Sequence, residues 1–295
     1  MLGAFFVCAL VGGRLHCILT YFRFRVIKRN RMKTNSLGNR EIKFLSWAQN
    51  RGKTVVRTGD ARAALKISKI QEAKIFYSLK KRGLITQVMR GLYLVPSMLP
   101  PGGKAAPSQY VVLDTLMKEV EAKAFQVTGW LVFNSYHLDT QVPIRMDVYN
   151  DKLSGEKTIG GQNFRFIKVA QSRLGYTKDF PVEDVTAHFS SLPRAVFDAI
   201  YDYERFGSLP MAYEWLKERV KDRKFMTEFL EICLKLANVS TLRRVGYTLE
   251  EAGCAREDVS QLLKRLKKTS SFIQLDPRRP KRGRTNSKWG IVIND

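Results

Sequence analysis

The stretch from Thr58 to Val95, TGDARAALKISKIQEAKIFYSLKKRGLITQVMRGLYLV, constrains the fold more than any other part of the chain. A polar cap at Thr58 or Asp60 precedes a short Ala/Leu helix, Ala61 to Leu65, and Lys66–Ser68 allows only a tight connection. A longer helix is expected from Lys69 to Arg82, stopped by Gly83. Two β-prone runs come next, Leu84–Met89 and Leu92–Val95, hinged at Arg90-Gly91. Helix, turn, helix and hairpin in that order is the plan of a winged helix-turn-helix, whose second helix enters a DNA major groove.

A helical wheel sharpens the expectation. At about 100° per residue, Ile70, Ala73, Phe76, Tyr77 and Leu79 fall broadly on one side, the expected core stripe. Gln71, Lys74 and Ser78 fall on the other, flanked by Ile75, Lys81 and Arg82. Gln can bond an adenine edge twice, Lys reaches guanine or phosphate, and an Ile suits a thymine methyl. The expected DNA-binding set is therefore Lys69, Gln71, Lys74, Ile75, Ser78, Lys81, Arg82 and, in the wing, Arg90. Residues 51–90 hold eleven basic and two acidic residues, a net of +9 in forty. The plain alternative is a solvated amphipathic helix beside an ordinary hairpin; pattern, charge and wing chemistry together favour DNA.

The whole chain repeats that bias. It carries a formal +24 over 295 residues, and such an excess calls for a polyanionic partner: nucleic acid first, an anionic membrane surface second. Its 44% apolar and 26% charged content is that of a globular protein, with length for two domains. Cys8, Cys17, Cys233 and Cys254 form no CxxC pair and read as reduced thiols of a cytoplasmic protein. His16, His137 and His188 are scattered and suggest no metal site.

Residues 1–31 look foreign to the remainder of the chain. An apolar run, Arg14, a second apolar run and then five basic residues in nine lack the order of a signal peptide. Leu2 to Phe22 has the length of a membrane span, but Arg14 near its centre would cost about 2.5–3.5 kcal/mol. An upstream stretch misread ahead of a true start at Met32 is the other option, with disorder expected either way. From Ser36 a helix with Phe44, Leu45 and Trp47 completes a head domain over 36–95. Residues 96–107 hold four prolines and two glycines in twelve, a linker that supports neither helix nor central strand.

Beyond it, 108–295 reads as a mixed α+β domain ending in a helical bundle and short strands. Helix 109–124, strand 125–127 and a short helix 129–136 lead to alternating strands 144–149 and 164–169, with 150–162 as a hairpin loop. After Pro181 the chain is expected to be helical, with Glu183-Asp184 as a helix-start acid pair and Pro193 in the first turn of a later helix. Four more helices, 209–220, 225–237, 241–251 and 258–267, precede strands 271–275 and 289–293. Residues 264–288 set ten basic residues against Asp276. Lys264, Arg265, Lys267, Lys268, Arg278, Arg279, Lys281, Arg282 and Arg284 are either a solvated tail or a second phosphate-contacting surface.

No catalytic constellation, cofactor motif or metal-ligand spacing is found. Asp114 with Glu121-Ala122-Lys123 spells part of a nuclease signature but fits a salt-bridged helix surface better. Gly207-Ser208 has the glycine-serine start of a nucleotidyltransferase, yet Asp222 is followed by Arg223 and Lys224, which repel a metal cation.

The order KIFYSLKKRGLI, RGLYLVP, FQVTGWLVFNSYHLDTQVP, FRFIKV, SSLPRAVFDAIYDYERFGSLPMAYEWL and TLRRVGYTLEEAG, over about residues 36–293, resembles the AbiEi family of antitoxins from type IV toxin–antitoxin systems. The resemblance implies an N-terminal winged helix that binds inverted repeats in its own promoter. It also implies a C-terminal domain that counteracts a nucleotidyltransferase toxin encoded alongside, in phage defence. In the C-terminal domain it matches core and turn positions such as Arg194, Asp198, Arg244 and Gly246. Two other readings remain: a stand-alone winged-helix regulator whose second domain senses a ligand or dimerises, and a DNA-modifying enzyme targeted by the head.

Overall fold

A computed structural model of the chain describes residues 6–11, 14–19, 37–99, 104, 106–267 and 271–294, in two compact units, Met1–Gly38 and Asn39–Asp295. In the first, β1 (Phe6–Val11) and β2 (Arg14–Leu19) pair antiparallel, with Cys8 opposite Cys17. Two apolar runs separated by Gly-Gly in the sequence favour such a hairpin. Residues 20–36, with the basic run and Met32, lie outside the described residues.

The second unit is of mixed α+β class. It begins with α1 (Asn39–Asn50), β3 (Val55–Arg57), α2 (Asp60–Leu65), α3 (Lys69–Lys81), β4 (Thr86–Met89) and β5 (Leu92–Leu94). β5 lies between β3 and β4 in a three-stranded antiparallel sheet. α1 buries Phe44, Leu45 and Ala48, and Phe44 meets Phe76 of α3 edge-on at 5.3 Å. The head keeps a core of its own around Phe44, Phe76, Leu79 and Ile85, while Val88, Leu92 and Leu94 of its hairpin pack into the larger buried cluster that lies beyond the linker expected at 96–107. Arg57 reaches Glu119 at 2.6 Å, Gln162 donates to the Pro107 carbonyl at 2.8 Å, and Thr86 packs so close to Gly160 that a Cβ there would lie 2.7 Å from it.

The remainder is built on a six-stranded sheet of order β10-β11-β6-β7-β9-β8: β6 (Phe125–Thr128), β7 (Met146–Asn150), β8 (Gly155–Ile159), β9 (Gln162–Lys168), β10 (Thr177–Val182) and β11 (Val185–Ser190). α4 (Gln109–Glu119), capped by Ser108, lies on it, and α5 (Trp130–Ser135) joins β6 to β7. Two expectations are corrected. β7 and β9 are parallel, Met146 opposite Phe164, so 150–162 is no hairpin loop; β8 occupies it and the tight turn is Gly160-Gly161, both at positive φ. Residues 177–190 form a hairpin, not a helix start, and Glu183-Asp184 is its turn.

The helical part keeps the expected order: α6 (Leu192–Tyr201), α7 (Tyr203–Phe206), α8 (Met211–Lys217), α9 (Arg223–Leu236), α10 (Val239–Glu251) and α11 (Arg256–Lys264). α6 starts on Ser191, whose hydroxyl accepts from Arg194 N, with Pro193 in the first turn where a missing N–H costs nothing. Asp222 and Asn238 cap α9 and α10 in the same way. The chain ends in β12 (Ile273–Gln274), β13 (Arg284–Asn286) and β14 (Ile291–Ile293), in the order β12-β14-β13. Gly246 lies inside α10, not in a turn; a Cβ there would stand 2.1 Å from the Trp289 ring, so its absence opens the notch that takes the buried indole. Among the described residues no helix is long and apolar enough to cross a membrane.

Candidate nucleic-acid interface

The geometry of α3 is set by Glu72, which is 1% exposed. Its Oε1 accepts from the backbone N–H of Gly59 at 2.8 Å and of Arg62 at 3.2 Å, and its Oε2 pairs with Arg62 Nε at 3.0 Å. α2 has no cap from its own flanking residue, so a carboxylate from the next helix satisfies its first N–H groups. That contact turns α3 so that Glu72, Ile75, Phe76 and Leu79 face inward. The outward side is then a stripe of Ile70, Ala73, Lys74, Tyr77 and Lys81, all exposed, with Lys69 and Lys80 along one border and Ser78 along the other.

This corrects the expected reading face. Ile75 is 4% exposed and packs in the core, so it contacts no ligand from there. Ile70, Ala73 and Tyr77, expected inside, are outside; Ile70 and Tyr77 are each 68% exposed. Gln71 is half-buried and held in a capping box: its Oε1 accepts from Ser68 N at 2.9 Å while Ser68 Oγ accepts from Gln71 N at 3.3 Å. Arg82 reaches back to the buried Glu41 of α1 at 3.2 Å and ties the end of α3 to the head's first helix. Lys69, Lys74 and Lys81 stand in solvent as expected, and Ser78 is half-buried.

The signal for the true face was present. Ile75, Phe76 and Leu79 have the spacing of a buried edge, and one turn earlier that edge meets Glu72. A carboxylate in a core stripe has no rationale until the uncapped start of α2 is seen beside it.

Beside α3, the β4–β5 turn presents Arg90, exposed at the tip with Gly91 at φ 82. Thr58 N donates to the Gly91 carbonyl at 2.8 Å and holds the turn to the segment before α2. Lys80 donates to Gln87 on β4 at 2.7 Å, which fixes the hairpin against the helix.

Most of the C-terminal cations lie on a built loop between β12 and β13. Asn294, 5% exposed, accepts from Asp276 N at 3.0 Å and donates to the carbonyls of Asp276, Arg279 and Pro280. Burial pushes the Asp276 carboxyl up, but hydrogen bonds from Arg278 and the nearby Arg279 outweigh it, leaving the group below its ordinary value. Arg279, Lys281, Arg282 and Arg284 project into solvent, and Arg278 is exposed but pairs with Asp276 at 3.1 Å. Lys264 and Lys267 are exposed, Arg265 donates to the Leu234 carbonyl at 2.8 Å, and Lys268 lies outside the described residues.

The interior of the second half holds a closed polar network. Arg194, fully buried, donates to Asp198 at 2.8 Å and to the carbonyls of Arg173 and Gly175; Asp198 accepts from Thr128 and Ser190. Asp147, beside Gly129, takes two bonds from Arg165, at 2.6 and 2.8 Å. Ser208 is buried and donates to the Ala199 carbonyl, and Asp114 pairs with Lys118 at 2.8 Å. Among the described residues no three His, Cys, Asp or Glu side chains converge as a metal site would require. A cleft of about 770 Å³ opens between the head and the second half, lined by Val55, Arg57, Leu94, Val111, Glu119 and Val185 among others.

No family model matches this chain, and no curated protein does. Among solved structures it is similar to the RV2827C protein from Mycobacterium tuberculosis, at 15% sequence identity and a TM-score of 0.58, over 87% of this chain and 92% of that one. At this identity the likeness bears on the fold alone: the chain shares the mixed α+β architecture of that protein.

Proposed function

We propose that residues 39–95 act as a winged helix-turn-helix that binds double-stranded DNA. The observation carrying this reading is the outward stripe of α3, where Lys69, Lys74 and Lys81 surround Ile70, Ala73 and Tyr77, with Arg90 at the tip of the adjacent hairpin. A helix of this kind suits the major groove: its lysines meet phosphates at the rims while its central side chains approach base edges. The net of +9 over residues 51–90 supplies the sequence-independent part of the affinity.

On this reading the protein is a transcriptional autorepressor. Its resemblance to AbiEi antitoxins supports a second role, counteracting a nucleotidyltransferase toxin through the C-terminal half; that half of the proposal stands on the resemblance alone. The test is fluorescence anisotropy of the full chain on duplexes from the region upstream of its own reading frame, with co-expression of any adjacent nucleotidyltransferase. Binding of a discrete segment that weakens steeply with salt, and rescue of growth from the toxin, are the expected results. Equal affinity for every duplex removes the repressor, and failure to rescue removes the antitoxin.

A second reading is favoured by the cleft between the head and the second half. Its volume is in the range of small-molecule sites, and its walls set apolar Val55, Leu94, Val111 and Val185 beside charged Asp114 and Lys118. Arg57 and Glu119 face each other across it at 2.6 Å, so an occupant that parted them would loosen the head's seat.

A further inference from the structure

We infer that α3 reads thymine methyl groups, with Ile70 and Tyr77 as the residues that set sequence preference. This deepens the DNA-binding reading and rests on it. The outward stripe is anomalous in its apolar content. Ile70 and Tyr77 are the two largest apolar groups on α3's outer face, and each is 68% exposed on a helix that had buried positions to offer. Among the described residues nothing covers them; Phe76 and Ile75, their neighbours in sequence, are in the core.

An occupant of this face must satisfy apolar and cationic groups together. A second copy of the chain does not: a symmetric contact through Ile70 and Tyr77 would gather the lysines of both stripes in one interface, with no acidic residue on the stripe to pair them. A B-form duplex does, because its major groove has anionic walls and, at each A·T pair, a C5-methyl on the floor. An RNA duplex fits poorly, since its major groove is too deep and narrow for side chains and uracil carries no methyl. Seven residues of helix separate Ile70 from Tyr77, about 10 Å of rise. At 3.4 Å per step along a strand that spans roughly three base pairs. The preferred half-site therefore places two thymines about three steps apart. Ala73, between them on the stripe, is small enough to let the backbone approach.

The experiment uses the full chain and a 40-base-pair duplex pool with a random core. The tightest duplex after several rounds of selection is then remade with deoxyuridine for thymine, which deletes the methyls and keeps the pairing. Wild type should lose about fourfold per contacted methyl, so more than tenfold for two. Ile70→Ala and Tyr77→Ala are exposed-site variants that should keep the wild-type melting temperature, bind the thymine duplex about tenfold more weakly, and lose only about fourfold more on deoxyuridine, through the one methyl contact each retains. A wild type that binds the selected duplex but ignores the deoxyuridine exchange overturns the inference and leaves DNA binding intact. Equal sensitivity of wild type and both variants also overturns it, because the methyls then act through DNA shape. If no duplex is enriched, the DNA-binding reading falls first and this one with it. Gel filtration closes the alternative: a wild-type dimer broken by Ile70→Glu would assign the face to a second copy.

Discussion

In residues 51–90 the exposed cations stand around apolar side chains on a helix, whereas in residues 276–288 they stand on a loop and the start of β13, a stretch that itself holds no exposed large apolar residue. Both regions carry a large positive excess, and both are held by buried polar side chains. In the head Glu72 caps α2 and orients α3; in the tail Asn294 gathers the carbonyls of Asp276, Arg279 and Pro280. The difference lies in what is presented. A helix with a mixed face can distinguish one base pair from another, while a loop of cations meets phosphates and is indifferent to sequence. A positive excess in two stretches of sequence is thus compatible with unequal roles.

For that contrast to hold, the tail must be a platform and not a loose end, and its anchor gives the largest expected effect. Trp289 fills the notch over Gly246 and its indole N–H donates to Glu250 at 2.5 Å. Trp289→Ala should cost about 3–5 kcal/mol in urea unfolding, and Gly246→Ala about 1–3 kcal/mol through overpacking. A cost below about 1 kcal/mol for both would mean that the strands around the basic loop are dispensable, and the tail would become a solvated run after all.

The next effect tests the head. Glu72→Ala leaves the Gly59 and Arg62 N–H groups without their acceptor and should destabilise the protein by about 2–3 kcal/mol, measured in the same way. The reading face is expected to lose definition along with it, because α2 and α3 are joined there. A stable variant with unchanged DNA preference would detach Glu72 from the orientation of α3.

Glu72 also marks where sequence reasoning stopped. The bounds of α3, the Ser191 cap with Pro193, and the run of helices from Met211 to Lys264 follow from local signals, namely spacing, caps and stops. The face of α3 does not, because it depends on a contact between Glu72 and Gly59, thirteen positions apart. The hairpin of β10 and β11 was concealed by Pro181, which sits in the edge strand where a missing N–H is tolerated. The packing of the head's hairpin on the second half was concealed as well: Val88 and Leu94 look complete within a winged hairpin, and only tertiary structure places them in the second half's buried cluster. Of the expected groove residues, Lys69, Lys74 and Lys81 were legible because charge has to be exposed. Gln71 and Ile75 were not, because either side of the helix could have held them.

A smaller effect separates the two basic regions directly. Lys74→Ala with Lys81→Ala should weaken specific binding by about tenfold and reduce the slope of log affinity against log salt by roughly 1.8, at 0.9 per phosphate lost. Arg282→Ala with Arg284→Ala should lower affinity by a similar factor on specific and random duplexes alike. Anisotropy titrations over a range of salt check both. If the arginine pair alters sequence preference, or the lysine pair weakens random duplexes only, the roles assigned to helix and loop are reversed.

The smallest effect concerns how the tail is fastened as pH changes. Burial pushes the Glu250 carboxyl up, but hydrogen bonds from Lys288 and Trp289, with the Lys288 charge, outweigh it and set the group below its ordinary value. In the unfolded chain the same carboxyl titrates near the reference of about 4.3. A folded value below that reference means the charged form is favoured by folding. Its contribution is present above the unfolded value and is lost as pH falls through the folded one. Glu250→Gln keeps an oxygen to accept the Trp289 N–H and removes the charge. The stability gap between wild type and this variant should therefore be widest near neutral pH and close as the solution is acidified below about pH 4. Urea midpoints measured from pH 3 to 7 decide it. A constant gap would mean that Trp289 is held by packing over Gly246 alone, and the charge on Glu250 would have no part in presenting the basic loop.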